Sequence, residues 1–198
     1  RNLMCAALLA CLSQAALAAA ELQDKPEWDR FFADAKVDGS IVVVDARGQA
    51  EAVYVHNRDR AARRYSPAST FKIPHSLFAL DAGLLRDEFQ RIPWDGVKRQ
   101  LPAWNADQDL RSAMRNSTVW VYEGFARELG SAREAAYMRK IDYGNALATG
   151  EAPFWVDGDL AISALEQVAF LQRLYRNRLP LPVAVSYTHL TLPTTPYV

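Results

Sequence analysis

The sequence predicts a single α+β domain in which a β-hairpin precedes a run of helices. Three observations predict it. Two β-branched runs flank a glycine turn near the start, and apolar stretches of helical period with cap signals follow them. Half of the 198 residues (50%) are hydrophobic, enough for one sizeable core. Lys+Arg and Asp+Glu number 23 each, with no basic block, which argues against a nucleic-acid surface.

The leader comes first. "RNLMCAALLACLSQAALAAA" has one positive charge, an apolar run and small residues ending at Ala20. It reads as a secretory signal peptide with an incomplete start, residues 1–20. A membrane-anchoring span is the weaker reading, because the run is short and ends in small residues. Cys5 and Cys11 both lie in it, so the exported part has no thiol and no disulfide.

"PEWDRFFADAKV" predicts an amphipathic helix with Trp28, Phe31, Phe32 and Ala35 on one face. The runs Ser40–Asp45 and Glu51–His56, around Arg47-Gly48-Gln49, predict a β-hairpin. A strongly apolar helix follows in "YSPASTFKIPHSLFALDAGLL" and ends near Gly83, before the loop "RDEFQRIPWDG". "DQDLRSAMRNSTVWVYEGFARELG" reads as helices interrupted near Asn116. Ser131 with Glu134, and Ser163 with Glu166, have the spacing of capping boxes at two further helix starts. The loop "DYGNALATGEAPFWVDGDLA" lies between those helices. From Leu179 onward no Asp, Glu, Lys or Arg occurs, and "AVSYTHLTLPTTPYV" has neither helical period nor clean alternation. The domain is therefore expected over 21–183, with 184–198 a non-native tail.

Several chemistries are not signalled. His56, His75 and His189 lack paired metal-ligand spacing, and there is no H-E-x-x-H, C-x-x-C or phosphate-binding glycine loop. Nothing favours a Ser-His-Asp triad, and His75 reads as a helix-surface or core residue. Ser69 and Lys72 are different. Three apart on a helix, they share a face. Pro67 places Ser69 in the first turn, where unpaired N–H groups and the positive dipole end suit an oxyanion. A serine needs a base to become a nucleophile. Lysine ordinarily titrates near ~10.4, so it serves only if burial lowers that value, by up to about 3–5 units. Phe71 and Ile73 supply apolar material for such a pocket. Ser-x-x-Lys alone is weak, occurring about once by chance in a chain of this length. A capping serine with a surface lysine is its ordinary meaning.

The surrounding residues raise its weight. "YSPASTFKIPHSLFALDAG" resembles the active-site segment of the class D serine β-lactamases, the oxacillinases. "RNSTVWVYE" is similar to their Ser-x-Val element, here Ser117-Thr118-Val119, and "KIDYGN" to their Tyr-Gly-Asn element, Tyr143-Gly144-Asn145. "FWVDGDLAISALEQVAFL" resembles their omega-loop tryptophan, Trp155, and the helix after it. Ser-x-Val alone means little, since Ser40-Ile41-Val42 matches it too. The ordered set is specific and spans Trp28 to Val183.

The resemblance implies a fold of the α/β (α+β) class, β-lactamase/transpeptidase-like. An antiparallel sheet is flanked by helices and joined by a helical subdomain, here truncated before the last strands. It implies Ser69 as the nucleophile that opens a β-lactam. Lys72, N-carboxylated by CO2 or bicarbonate, is the implied general base, and Ser117 the relay to the leaving nitrogen. Val119 packs over Lys72, the Trp155 indole N–H holds the carbamate, and Tyr143, Gly144 and Asn145 shape the adjoining loop. No metal or other cofactor is implied. The implied partner is a small-molecule β-lactam such as a penicillin or oxacillin. The location is the periplasm, with no stable membrane anchor, and the oligomeric state is open, a homodimer included. One departure stands out: neither Lys98 nor Lys140 begins the family's Lys-Thr-Gly or Lys-Ser-Gly element. A two-stranded hairpin would also be marginal alone. Two alternatives follow, a penicillin sensor acylated without turnover and an inactive fragment of the enzyme.

Overall fold

The computed structural model describes residues 21–48 and 51–190. The leader, Gln49 of the expected turn and the last eight residues lie outside them. The described chain divides into two units. One comprises the residues up to Tyr65 together with Ile162–Gln172, and the other comprises Ser66–Ala161 and the residues from Arg173.

In the first unit β1 (Leu22–Asp24), β2 (Ile41–Asp45) and β3 (Ala52–His56) form one sheet in the order β1-β3-β2. The predicted hairpin is present, with Val43 opposite Tyr54 and Val44 opposite Val53. It is not alone, because β1 adds a third strand, parallel to β3. That strand is three residues long, too short for alternation to show. Arg58 pins it by donating to the Leu22 carbonyl at 2.7 Å and to Asp24 Oδ2 at 3.0 Å. Val53 and Val55, two apart and so on one face, are buried.

Helix α1 (Asp29–Ala35) matches the first predicted helix, but its apolar face is shallower than expected. Phe31 is 54% exposed and no residue of the helix is buried. Phe32 stacks on His56 with ring centroids 4.2 Å apart, and His56 Nδ1 stands 2.9 Å from Asp29 Oδ1. A short helix, α2 (Arg58–Ala62), leads to β4 (Arg64–Tyr65), which pairs antiparallel with β5 (Ile162–Ser163). The capping box at the start of α6 (Ala164–Tyr175) forms as predicted. Ser163 N–H donates to Glu166 at 2.9 Å and Glu166 N–H to Ser163 Oγ at 3.2 Å. Arg64 Nε adds a bond to the same carboxylate at 3.0 Å.

The second unit is helical. Residues Ala68–Phe71 form a 3₁₀ turn that runs into α3 (Lys72–Asp81). After a long loop come α4 (Leu110–Arg115) and α5 (Val119–Lys140). Helix α3 is buried along almost its whole length, and α5 packs against it. Phe71, Leu77, Phe78, Ala79, Leu110, Ala113 and Tyr122 are all fully buried.

Helix α5 breaks at Gly130, whose φ of 74° and ψ of 155° are open to glycine and not to a side chain that must stay helical. The capping box expected at Ser131 and Glu134 does not form, because Glu134 is buried with no exposed surface and faces His75. Val183–Leu190 is a helix, α7, packed against α3, and its Ser186 is buried. Its residues have no clean helical period, so tertiary contact decides the structure there.

Candidate active site

The site grows from the 3₁₀ turn. In 3₁₀ geometry residues i and i+3 eclipse one another, so Ser69 and Lys72 line up more closely than the regular helix expected there would allow. Lys72 Nζ donates to Ser69 Oγ at 2.8 Å, and Ser117 Oγ donates to the same oxygen at 3.0 Å. Ser69 is exposed, whereas Lys72 is only 2% exposed. One hydroxyl therefore meets solvent and two hydrogen-bonding partners at once.

Both serines are set by uncommon backbone. Ala68, just before Ser69, has φ of 46°, and Ser117 has φ of 52°. Left-handed conformations of non-glycine residues cost free energy and gather at functional sites. Ala68 is held by its N–H bond to the Trp155 carbonyl at 2.9 Å, and Ser66 Oγ donates to that carbonyl at 2.8 Å. The turn before Ser117 is held by tryptophans: Trp104 Nε1 donates to the Asn116 carbonyl at 2.9 Å and Trp120 Nε1 to the Trp104 carbonyl at 3.0 Å. The N-cap of α5 falls on Thr118, with Ser117 one residue outside it. Ser117 therefore does not cap the helix, and its hydroxyl points at Ser69.

Lys72 lies in an apolar pocket with no carboxylate partner among the described residues. Its Nζ sits 5.5 Å from the centroid of the buried Tyr122 ring. The Tyr122 hydroxyl meets Ser76 Oγ at 3.1 Å, and Ser76 Oγ donates to the Lys72 carbonyl at 2.8 Å. Burial pushes Lys72 down from 10.5 to about 8, because an ammonium loses its hydration there. Burial likewise pushes the Tyr122 phenol up, which keeps it neutral.

The other predicted residues are held in different ways. Val119 is the first residue of α5 and half-buried. Trp155 is 1% exposed, its ring 5.7 Å from Phe71 and 5.3 Å from His75, centroid to centroid. Its indole N–H is buried and finds no acceptor among the described residues. Tyr143 is fully buried, 5.7 Å from the Phe71 ring. Gly144 has φ of 54°. Asn145 ties the loop shut: its N–H donates to the Ala161 carbonyl at 2.9 Å and its Nδ2 to the Asp159 carbonyl at 2.7 Å. Further along, Gly150 (φ 87°) and Gly158 face each other across a bridge where a Cβ on Gly150 would come 2.8 Å from the Gly158 Cα. These residues carry the loop to Trp155.

Two features of the site were not anticipated. The Ser76–Tyr122 link joins a helix interior to a ring 46 positions away, and no local spacing signals it. His75 Nε2 stands 2.7 Å from Glu134 Oε1, both side chains without exposed surface. A signal for Glu134 did exist: it stands four residues before Met138 and seven before Ile141, both buried, and so lies on the inward stripe.

A serine hydrogen-bonded by both a buried lysine and a second serine is an arrangement that can activate a nucleophile. Accordingly, residues 39–192 match the model of the Penicillin binding protein transpeptidase domain. The chain is 56% identical over 161 residues to beta-lactamase OXA-2 of Salmonella typhimurium, covering 81% of this chain and 58% of that protein. It is 54% identical over 163 residues to beta-lactamase OXA-3 of Pseudomonas aeruginosa, covering 82% and 59%. The solved class D β-lactamase YbXI from Nostoc superposes with a TM-score of 0.76 at 36% identity, covering 84% of this chain and 72% of that one. The chain belongs to the class D β-lactamase family. It spans slightly under three fifths of the length of the curated relatives it matches.

Proposed function

We propose that the protein hydrolyses β-lactam antibiotics of the penicillin and oxacillin type through an acyl-enzyme on Ser69. The observation that carries this reading is the Ser69 hydroxyl held at 2.8 Å by a buried lysine and at 3.0 Å by Ser117. Ser69 Oγ attacks the lactam carbonyl, forming an ester as the ring C–N bond breaks. The hydroxyl proton passes to Lys72, and Lys72 returns it through the Ser117 hydroxyl to the departing nitrogen, leaving both residues as they began. Water then cleaves the ester, releasing the opened β-amino acid and restoring Ser69. A lysine lowered to about 8 is partly neutral at physiological pH, as base chemistry requires.

The same neutrality suits Lys72 for carboxylation by CO2. The residues fit that group: Lys72 is buried without a carboxylate, and Trp155 stands against the rings of Phe71 and His75, on either side of it in sequence, with its buried N–H unclaimed. When present, the group supplies a carboxylate base in place of the amine. Lys72 would carry it and Trp155 would hold it. Tyr143, Gly144 and Asn145 shape the loop that brings Trp155 to the site, and Val119 shields Lys72. The leader supports export to the periplasm. None of the described helices is long and apolar enough to cross a membrane.

Benzylpenicillin hydrolysis followed in CO2-depleted buffer and again with bicarbonate tests the proposal. Activity is expected to fall on depletion and return on addition. Activity indifferent to both would refute the carboxylated lysine. A penicillin adduct that never turns over would replace the hydrolase by a sensor.

A further inference from the structure

Helix α3 buries a second ionisable side chain one turn beyond Lys72. His75 has no exposed surface, and its Nε2 lies 2.7 Å from Oε1 of Glu134, which is equally buried. The approach does not have the geometry of a hydrogen bond, and neither side chain makes one with any other described residue. A buried carboxylate costs several kcal/mol unless something offsets it, and an apolar pair of similar volume would fill this space more cheaply. The chain nevertheless breaks α5 at Gly130, just ahead of the turn that carries Glu134.

The imidazole is enclosed by rings. Phe71 lies at 5.1 Å, Tyr122 at 5.8 Å, Phe125 at 5.9 Å and Trp155 at 5.3 Å, the last edge-to-face at 67°. Ring contacts alone do not tell the nitrogen edge of an imidazole from its carbon edge, whereas a polar neighbour at one nitrogen does. Trp155 also borders a cavity of about 450 Å³, lined in addition by Arg127, Glu134 and Phe154. Three rings pack the indole, Phe71 at 5.7 Å, Phe154 at 5.0 Å and His75 at 5.3 Å, and His75 is the one of the three with a polar side chain against it.

We propose that Glu134 and His75 form a positioning pair: Glu134 fixes the His75 ring, and that ring aims the Trp155 N–H toward the group carried by Lys72. The inference rests on the reading of Trp155 and Lys72 given under Proposed function. Neither residue of the pair touches substrate.

The test uses indole ¹⁵N–¹H resonances of the whole chain, which has five tryptophans. Trp155→Phe assigns the Trp155 peak. Adding bicarbonate to the otherwise unmodified chain should move that peak; if it does not move, the reading of Trp155 fails and the pair has nothing to position. If it moves, Glu134→Gln should displace the starting peak. It should also raise the bicarbonate concentration at half-shift by about tenfold, the low end of what losing an outer-shell partner costs a held group. A Glu134→Gln response equal to that of the parent chain overturns the proposal. Should Glu134→Gln fail to fold, the double variant His75→Phe/Glu134→Leu replaces the pair with apolar groups, a change that buried pairs tolerate. The double variant should fold and show the same weakened bicarbonate response. A parent-like response in the double variant contradicts the proposal.

Discussion

Lys72 and His75 sit one turn apart on the same helix and are equally hidden from solvent, yet their surroundings are opposite. Lys72 donates its hydrogen bond to the Ser69 hydroxyl and has the Tyr122 ring 5.5 Å away. His75 has a carboxylate at 2.7 Å and a cage of aromatic rings. The difference teaches how burial is used. Burying a cation without a counter-charge lowers its proton affinity and makes a base. Burying a polar side chain against another polar side chain favours one geometry. On the readings proposed above, the first arrangement does chemistry and the second holds a wall in place.

The comparison breaks if Lys72 is dispensable. Lys72→Ala should slow acylation of Ser69 by about 10²–10⁴-fold, the usual worth of a positioned base, as measured by single-turnover kinetics with penicillin. Next is the pH dependence of folding. The folded value of Lys72 is depressed from 10.5 to about 8. Between those values the unfolded chain binds the extra proton, so stability rises with pH across that window and the penalty is complete below about 8. Denaturant titrations in CO2-free buffer should show a rise of roughly 3 kcal/mol between the two ends, absent in Lys72→Met. A flat profile would mean that the amine keeps its water.

Two smaller effects sharpen the contrast. Tyr122→Phe keeps the ring beside Lys72 but removes the bond to Ser76. It should cost about 1 kcal/mol, roughly 2–4 °C in Tm, and leave the pH dependence of acylation in place. A shifted pH profile would give the phenol, and not burial, the larger part in tuning Lys72. Ser163→Ala removes half of a cap whose Glu166 is also held by Arg64. It should cost about 0.5–1 kcal/mol and leave the acylation rate unchanged.

The candidate site was more legible than the fold around it. Ser69 and Lys72 are three apart, so local geometry joins them, and the flanking letters raised a weak pattern to a specific one. Trp155 and Ser117 were reached through resemblance, since 86 and 48 positions separate them from Ser69. Local rules failed where distant contacts win. Glu134 fits a capping box by spacing, but the break at Gly130 and the inward stripe take it into the core. The strand β1 is too short for alternation and exists because β3 and Arg58 hold it. The aperiodic segment from Val183 becomes helical against α3.

The central claim is that Lys72, buried without a counter-charge, makes Ser69 a nucleophile. Intact-mass spectrometry after a short benzylpenicillin pulse at pH 8 tests it most directly. One penicillin should add to the parent chain at Ser69, none to Ser69→Ala, and far less to Lys72→Ala within the same pulse. No adduct on the parent chain, or equal labelling of Lys72→Ala, would contradict the account.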